Sequence, residues 1–272
     1  MTTFYAIIAL IIIVLLYMRF EATWMQVNNV YFTKSSECLK ILHMSDLHDN
    51  FLLVSVKKIR QAVKAANPDI IILTGDYIER PVDITSFIEK LQYIKSGYQT
   101  FVCLGNHDYN AFKKNPSGMP GFIREIEASK AKVLVNSSVL IEKNNMKFNI
   151  IGIDDLATGK PDIPAALKDI APFPATNIAI SHNPDIVYEL EGKKIDYLFV
   201  GHFHGGQIWL PFNLEFKLLR NEKLCKAGLK RGLHRFKGMV LYISRGLGNV
   251  VVPFRFMSRP EITVYHLPCQ KD

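Results

Sequence analysis

The chain has 272 residues, 49% of them hydrophobic, and carries 33 Lys and Arg against 25 Asp and Glu, a net charge of +8. This is an ordinary globular composition, long enough for a substantial core in one large domain or two small ones, and it holds no internal repeat or low-complexity tract. Cys38, Cys103, Cys225 and Cys269 form no CxxC pair, which argues against a thiolate zinc site and a disulfide framework; they are expected to be free thiols in a reducing compartment.

Residues 4–18 are an uninterrupted apolar run. As a helix the run spans roughly 22 Å, short of the ~30 Å hydrocarbon core, but Phe20 and Trp24 extend it while Arg19 snorkels. No Lys or Arg precedes the run and no A-x-A follows it, so an uncleaved transmembrane helix (residues 1–20) is expected in preference to a signal peptide. Arg19 and Lys34 lie after the run, which by the positive-inside rule puts the large C-terminal part in the cytoplasm. Residues 21–37 read as a juxtamembrane connector and 38–272 as the main domain.

From there strands alternate with helices. Residues 39–45, 70–74 and 100–104 are strand-like, and 54–66 and 84–94 have helical spacing, the first stopped by Asn67-Pro68-Asp69. Further on, 133–135, 139–142 and 147–153 predict antiparallel strands with a turn at Asn144-Asn145. Residues 177–180 and 197–200 are short buried-type strands, and 207–210, 239–244 and 261–266 complete the β content. The pattern predicts an α/β protein with two packed sheets and outer helices.

Five of these apolar runs end in residues able to bind metal: Asp46 and His48, then Asp76, then Asn106, His107 and Asp108, then His182, then His202 and His204. Each alone could be a turn residue or a structural histidine; five together at strand ends are a poor coincidence, since ligands of open α/β sheets bind at the carboxyl ends of strands. Asp46/His48 and His202/His204 are i, i+2 pairs that project to one face of an extended backbone. The donors are carboxylates, imidazoles and one amide, which suits zinc, manganese, iron or magnesium. They are too many for one tetrahedral ion; two ions sharing a carboxylate fit better.

Asp46-Leu47-His48, Gly75-Asp76, Gly105-Asn106-His107-Asp108, His182 and Gly201-His202-Phe203-His204 resemble, in order, the motifs of the calcineurin-like metallophosphoesterases, from about residue 40 to the C-terminus. Gly205-Gly206-Gln207-Ile208, the stretch 242–248 and Pro260-Glu261-Ile262 resemble a bacterial membrane-associated branch, which includes phosphodiesterases and a UDP-2,3-diacylglucosamine pyrophosphatase. The departure is Phe203, where a small polar residue is usual; it is expected to alter the pocket wall. The resemblance implies a four-layer αββα sandwich with two mixed sheets and two divalent ions between them. One ion would be held by Asp46, His48, Asp76 and His204, the other by Asp76, Asn106, His182 and His202, with Asp76 bridging. A hydroxide bridging the ions would attack phosphorus directly, with His107, oriented by Asp108, stabilising developing charge or protonating the leaving oxygen.

Residues 217–237 carry eight Lys or Arg against the single acid Glu222. This is either a solvated face or an attraction for an anionic partner such as lipid headgroups or a phosphate-bearing substrate; no aromatic-interleaved platform accompanies it, which argues against nucleic acid. With the anchor, it suggests a lipid-linked or membrane-proximal phosphate substrate. A membrane-localised enzyme for soluble nucleotides is the alternative, and a metal-free scaffold a third. Arg245 is a candidate phosphate contact, Asp154-Asp155 reads as a turn, His43, His234 and His266 as structural or exposed, and Cys103 as core.

Overall fold

The computed structural model describes residues 1–32, 37–172 and 174–269. In chain order its main elements are α1 (Thr2–Glu21), β1 (Gln26–Tyr31), β2 (Glu37–Met44), α2 (Val56–Ala66), β3 (Ile70–Thr74), α3 (Ile84–Lys95), β4 (Gln99–Cys103), α4 (Asn106–Ala111), α5 (Met119–Ala128), β5 (Ala131–Val133), β6 (Ser137–Lys143), β7 (Met146–Gly152), α6 (Ile163–Leu167), β8 (Thr176–Ile180), β9 (Tyr197–Val200), α7 (Leu214–Leu219), α8 (Lys223–Lys226), β10 (Gly232–Phe236), β11 (Met239–Ile243) and β12 (Glu261–Pro268). They form two six-stranded mixed sheets, ordered β1-β12-β2-β3-β4-β5 and β10-β11-β9-β8-β7-β6. The centres, β2-β3-β4-β5 and β7-β8-β9-β11, are parallel.

The layering follows from the two-residue period of a strand. In β3, Ile70 and Ile72 point to the space between the sheets with Ile41, Phe101, Ile178 and Phe199. Ile71 and Leu73 point the other way, onto Ile59 and Val63 of α2 and Phe87 and Leu91 of α3. A strand covered on both faces reads as a continuous apolar run, and this one does. The second sheet covers its outer face with Ala166, Ile186, Val187 and Leu224 packed on Ile151, Ala179, Leu198 and Val200. The result is helix, sheet, sheet, helix. Phe199 and Tyr265 stack across the middle at 3.9 Å between ring centres.

Some local expectations fail. The strand expected at 133–135 is β5, which lies parallel to β4 in the first sheet rather than antiparallel beside β6. Residues 207–210 form only one isolated bridge, Ile208 to Phe256, because positive φ at Gly205, Gly206 and Gln207 breaks the extended backbone. Within the segment read as a connector, β1 pairs along its whole length with β12; residues 33–36 of that segment lie outside the described residues. Cys38 and Cys269 are joined in a disulfide, which corrects the free-thiol expectation for that pair; Cys103 and Cys225 are free and buried.

Helix α1 has 20 residues, roughly 30 Å at ~1.5 Å per residue and so matched to a bilayer core. Its end is fastened to the domain. The buried Glu21 carboxylate accepts the amides of Met257 and Ser258 at 3.1 and 2.8 Å, and the Arg255 amide donates to the Met18 carbonyl at 3.1 Å.

Candidate metal centre

Strands β2, β3, β4, β8 and β9 stop at one edge, and the first turns beyond them carry the expected ligands. Asp46, His48, Asp76, His202 and His204 all have φ between 42° and 73°. Left-handed backbone at non-glycine residues is unfavourable, by up to about 1–3 kcal/mol each, and persists where surrounding bonds enforce it. Here they do: Asp46 N–H donates to Gly75 O, His48 N–H to Asp76 O, and His202 N–H to Asp46 Oδ1, each at 3.0 Å. The turns are also packed too closely for side chains at two glycines. A Cβ on Gly201 would stand 1.8 Å from Ser45 Oγ, and one on Gly105 would stand 2.2 Å from Asp76 Oδ1.

The side chains gather in two groups that meet at Asp76. Ligand-capable atoms of Asp46, His48, Asp76 and His204 converge in one buried cluster, and those of Asp76, His182 and His202 in another. In the first, His48 Nε2 is 3.2 Å from His204 Nε2 and 3.7 Å from Asp76 Oδ2, and His204 Nε2 is 3.3 Å from Asp46 Oδ1. In the second, His182 Nε2 is 3.0 Å from Asp76 Oδ2, 3.1 Å from Asn106 Oδ1 and 3.1 Å from His202 Nδ1.

The far nitrogen of three rings has an acceptor behind it. His48 Nδ1 meets Glu79 Oε1 at 2.6 Å, His182 Nδ1 meets Thr74 O at 2.8 Å, and His202 Nε2 meets Glu222 Oε1 at 2.8 Å. At His48 and His182 the acceptor holds a proton on that side and turns a lone pair inward, the arrangement that orients metal-ligating histidines; His202 Nε2 also lies 3.0 Å from the Arg220 guanidinium, a donor. His204 differs, since its buried Nδ1 has no hydrogen-bond partner among the described residues. Lone pairs and carboxylate oxygens facing one another at 3 Å call for positive charge between them. The titration of His182 expresses the same demand: burial opposes its protonation, but the charge and hydrogen bond of Asp76 outweigh burial and push it up to about 10. The donor set and its geometry therefore fit divalent ions.

His107 lies at the rim, its side chain 32% exposed, with Nδ1 2.7 Å from Glu79 Oε2. Asp108 does not orient it, contrary to expectation. The Asp108 carboxylate accepts the amides of Asp76, Tyr77, Ile78 and Gly105, so it braces the turn that carries Asp76. Glu79 takes the orienting place, one oxygen on His48 and the other on His107. Burial alone would raise the Glu79 pKa; its hydrogen bonds to the two rings outweigh burial and hold it down at about 2. His107 answers in kind: burial opposes its charge, but the Glu79 bond and the Asp76 charge push it up to about 9.

Glu79, Glu222 and Arg220 have no motif to announce them. Glu79 follows Asp76 by three residues and Glu222 is the one acid in the basic segment, signals that any surface acid would give. Arg220 donates to His202 O at 2.8 Å and pairs with Glu222 at 3.3 Å, so part of the basic segment is built into the site. Arg245 is held by Glu261 at 2.6 Å and Gln26 at 3.1 Å, a structural use instead of a phosphate contact. Asp154 and Asp155 accept amides of their own turn. His43 is buried between Tyr265 and Thr74, His266 meets Glu37 and Asn29, and His234 bonds to Arg231 O. Phe203 is buried, its ring 5.7 Å from that of His202 and edge-on to Phe216 at 6.1 Å.

Residues 39–206 match the family model described as calcineurin-like phosphoesterase. Metallophosphoesterase YkoQ of Bacillus subtilis is 34% identical over 232 residues, covering 84% of this chain and 83% of YkoQ. Phosphodiesterase YaeI of Escherichia coli is 28% identical, covering 87% and 85%. The UDP-2,3-diacylglucosamine pyrophosphatase LpxG of Chlamydia trachomatis is 29% identical, covering 82% of each chain. Among solved structures, the sulfate thiohydrolase SoxB of Thermus thermophilus shares the fold at a TM-score of 0.52 and 9% identity, over 88% of this chain and 58% of that one. With the family model covering more than half its length, this chain is a member of the calcineurin-like phosphoesterase family and a metal-dependent phosphoesterase.

Proposed function

We propose that the protein hydrolyses phosphodiester or pyrophosphate bonds in a lipid-linked or membrane-proximal substrate, at a centre of two divalent ions. Asp46, His48, Asp76 and His204 would hold one ion; Asp76, Asn106, His182 and His202 would hold the other. The observation that carries this reading is Asp76, whose Oδ2 lies 3.0 Å from His182 Nε2 and 3.7 Å from His48 Nε2, within reach of both clusters. When bound, two such ions supply positive charge for the phosphate oxygens and a water made acidic enough to attack phosphorus. The chain's own contribution is positional. Glu79 and Thr74 fix the tautomers of His48 and His182, and Glu222 with Arg220 positions the His202 ring. His107, protonated through its bond to Glu79, stands at the rim and can hand a proton to the leaving oxygen, a role contributing roughly 10²–10⁴-fold.

Helix α1 supports a membrane location, and the relatives named phosphodiesterase and UDP-2,3-diacylglucosamine pyrophosphatase support the bond type. A metal-by-substrate screen tests the reading, using the full chain loaded with Mn, Zn, Fe or Mg and given monoester, diester and lipid-pyrophosphate substrates. The expected result is two metal equivalents and diester or pyrophosphate turnover. For Asp76→Asn the expected result is loss of both ions. Retention of two tightly bound equivalents in that variant would overturn the bridging assignment, and preference for free nucleotides over lipid substrates would overturn the membrane assignment.

A further inference from the structure

Beside the metal centre lies a cavity of about 510 Å³ whose walls come from residues between 203 and 220 and from residues 250–252. Its volume falls within the roughly 300–1,000 Å³ of small-molecule sites. The apolar lining comes from Phe203, Ile208, Leu210, Phe216, Val250 and Val252. The polar groups on the walls are largely engaged elsewhere. Gln207 uses its amide on the backbone of Val250 and Val252, and Glu215 accepts the Leu210 amide. What remains is an apolar slot with two polar residues, His204 and Arg220. Both touch the metal-site clusters, His204 through His48 and Arg220 through the His202 carbonyl.

The position of α1 gives this slot an orientation. Tyr17 packs edge-on against Phe256, and the Met18 carbonyl and Glu21 carboxylate hold residues 255–258. Phe256 in turn donates its amide to Gln207 O and accepts the amide of Trp209. Both walls are therefore tied to the last turn of the apolar helix. The surrounding surface is apolar and unpartnered: Phe212 is 81% exposed, Leu218 73% and Val251 89%. Such side chains standing out beside a helix able to span a bilayer suit the headgroup–acyl boundary, where amphipathic surfaces bury their apolar groups. Lys230 sits 4.9 Å over the Phe216 ring, a cation near the cavity wall that complements an anionic headgroup.

Resting on the membrane reading above, we propose that this cavity is an acyl-chain site, filled from the adjoining bilayer, which brings the phosphate of a membrane lipid to the two clusters. Phe203 then has a definite place: its ring, where a small residue would leave the wall open, closes the apolar side of the slot.

The test uses the full chain in vesicles of phosphatidylcholine and phosphatidylglycerol, with a trace of phosphatidylglycerol carrying a diazirine near the end of one acyl chain. After irradiation, labelled residues are mapped by mass spectrometry, and hydrolysis of bis(4-nitrophenyl) phosphate is followed in the same sample. The expected result is label on the cavity-wall residues Ile208, Leu210, Phe216 and Val250, as well as on α1. Val252→Trp, at the partly exposed rim, should reduce the cavity label at least fivefold and leave the α1 label unchanged. Label confined to α1, Phe212 and Leu218 in the wild-type protein would overturn the acyl site, and that outcome does not depend on the variant. Cavity label that Val252→Trp does not reduce would overturn it too. Diester hydrolysis without cavity label removes the acyl site and keeps the phosphodiesterase; cavity label without hydrolysis supports the acyl site and removes the phosphodiesterase.

Discussion

Glu79 joins two tasks in one carboxylate: it holds the proton on His48 Nδ1, leaving Nε2 to face the metal cluster, and it holds His107 at the rim. Glu79→Gln keeps the size of the side chain, but its amide group can no longer accept from both rings. Outer-sphere partners of this kind contribute about 10–100-fold to metal affinity or activity. The variant should therefore show weakened binding at the His48 cluster and a fall in turnover. His107→Ala separates the two tasks. It should keep both ions and lose roughly 10²–10⁴-fold in turnover; metal analysis showing one ion lost would make His107 a ligand. The seven residues proposed as ligands could be picked out in the sequence because each follows an apolar strand and is of a metal-binding type. Glu79 and Glu222 were not. An acid that acts through a neighbour's ring carries no spacing of its own, and only the folded turns bring it behind that ring. Asp108 shows the opposite error, a motif neighbour assigned to the ring beside it when four backbone amides claim its carboxylate.

At the level of elements, the parallel centres of both sheets were readable because strands buried on two faces are short unbroken apolar runs. The edges were harder. β1 alternates exposed and half-buried residues, and nothing local distinguishes that from a connector; its place is set by β12, which lies more than 200 residues later. β10 is hidden in the basic segment for the same reason. The consequence is testable by truncation. A chain beginning at residue 20 keeps Glu21 on Met257 and Ser258 and keeps β1, and it should fold. One beginning at residue 37 loses β1 and the Glu21 carboxylate, exposes the β12 edge and frees Arg245 from Gln26. Losing that strand should cost at least about 3 kcal/mol, from unburied apolar side chains and unpaired backbone. At ~2–4 °C per kcal/mol for a domain of this size, thermal unfolding should show a drop of about 6–12 °C between the two truncations. Equal midpoints would mean that β1 contributes nothing to the domain.

For the whole molecule, the covalent link between Cys38 and Cys269 bears on which side of a membrane the domain would occupy with α1 as its anchor. These residues are 231 apart in sequence and tie the start of β2 to the end of β12. Closing so long a loop constrains the unfolded chain and stabilises the fold by about 2–4 kcal/mol in typical cases. Cytosolic glutathione and thioredoxin keep such pairs reduced, whereas exported domains retain them. Arg19 and Lys34, the cations nearest the end of α1, point the other way, toward a cytoplasmic domain. Two charges make a modest bias, and Arg19 sits within the last turn of the helix. The disulfide weighs more, and a domain on the non-cytoplasmic side is the expected arrangement. Cells making the protein, denatured in the presence of N-ethylmaleimide so that the buried Cys103 and Cys225 are reached, should yield those two alkylated cysteines before reduction, and Cys38 and Cys269 only after it. Protease added to spheroplasts should remove the domain and leave α1. Four alkylated cysteines without reduction, together with a protected domain, would place it in the cytoplasm and leave the Cys38–Cys269 pair as neighbouring thiols held close by the β2–β12 register.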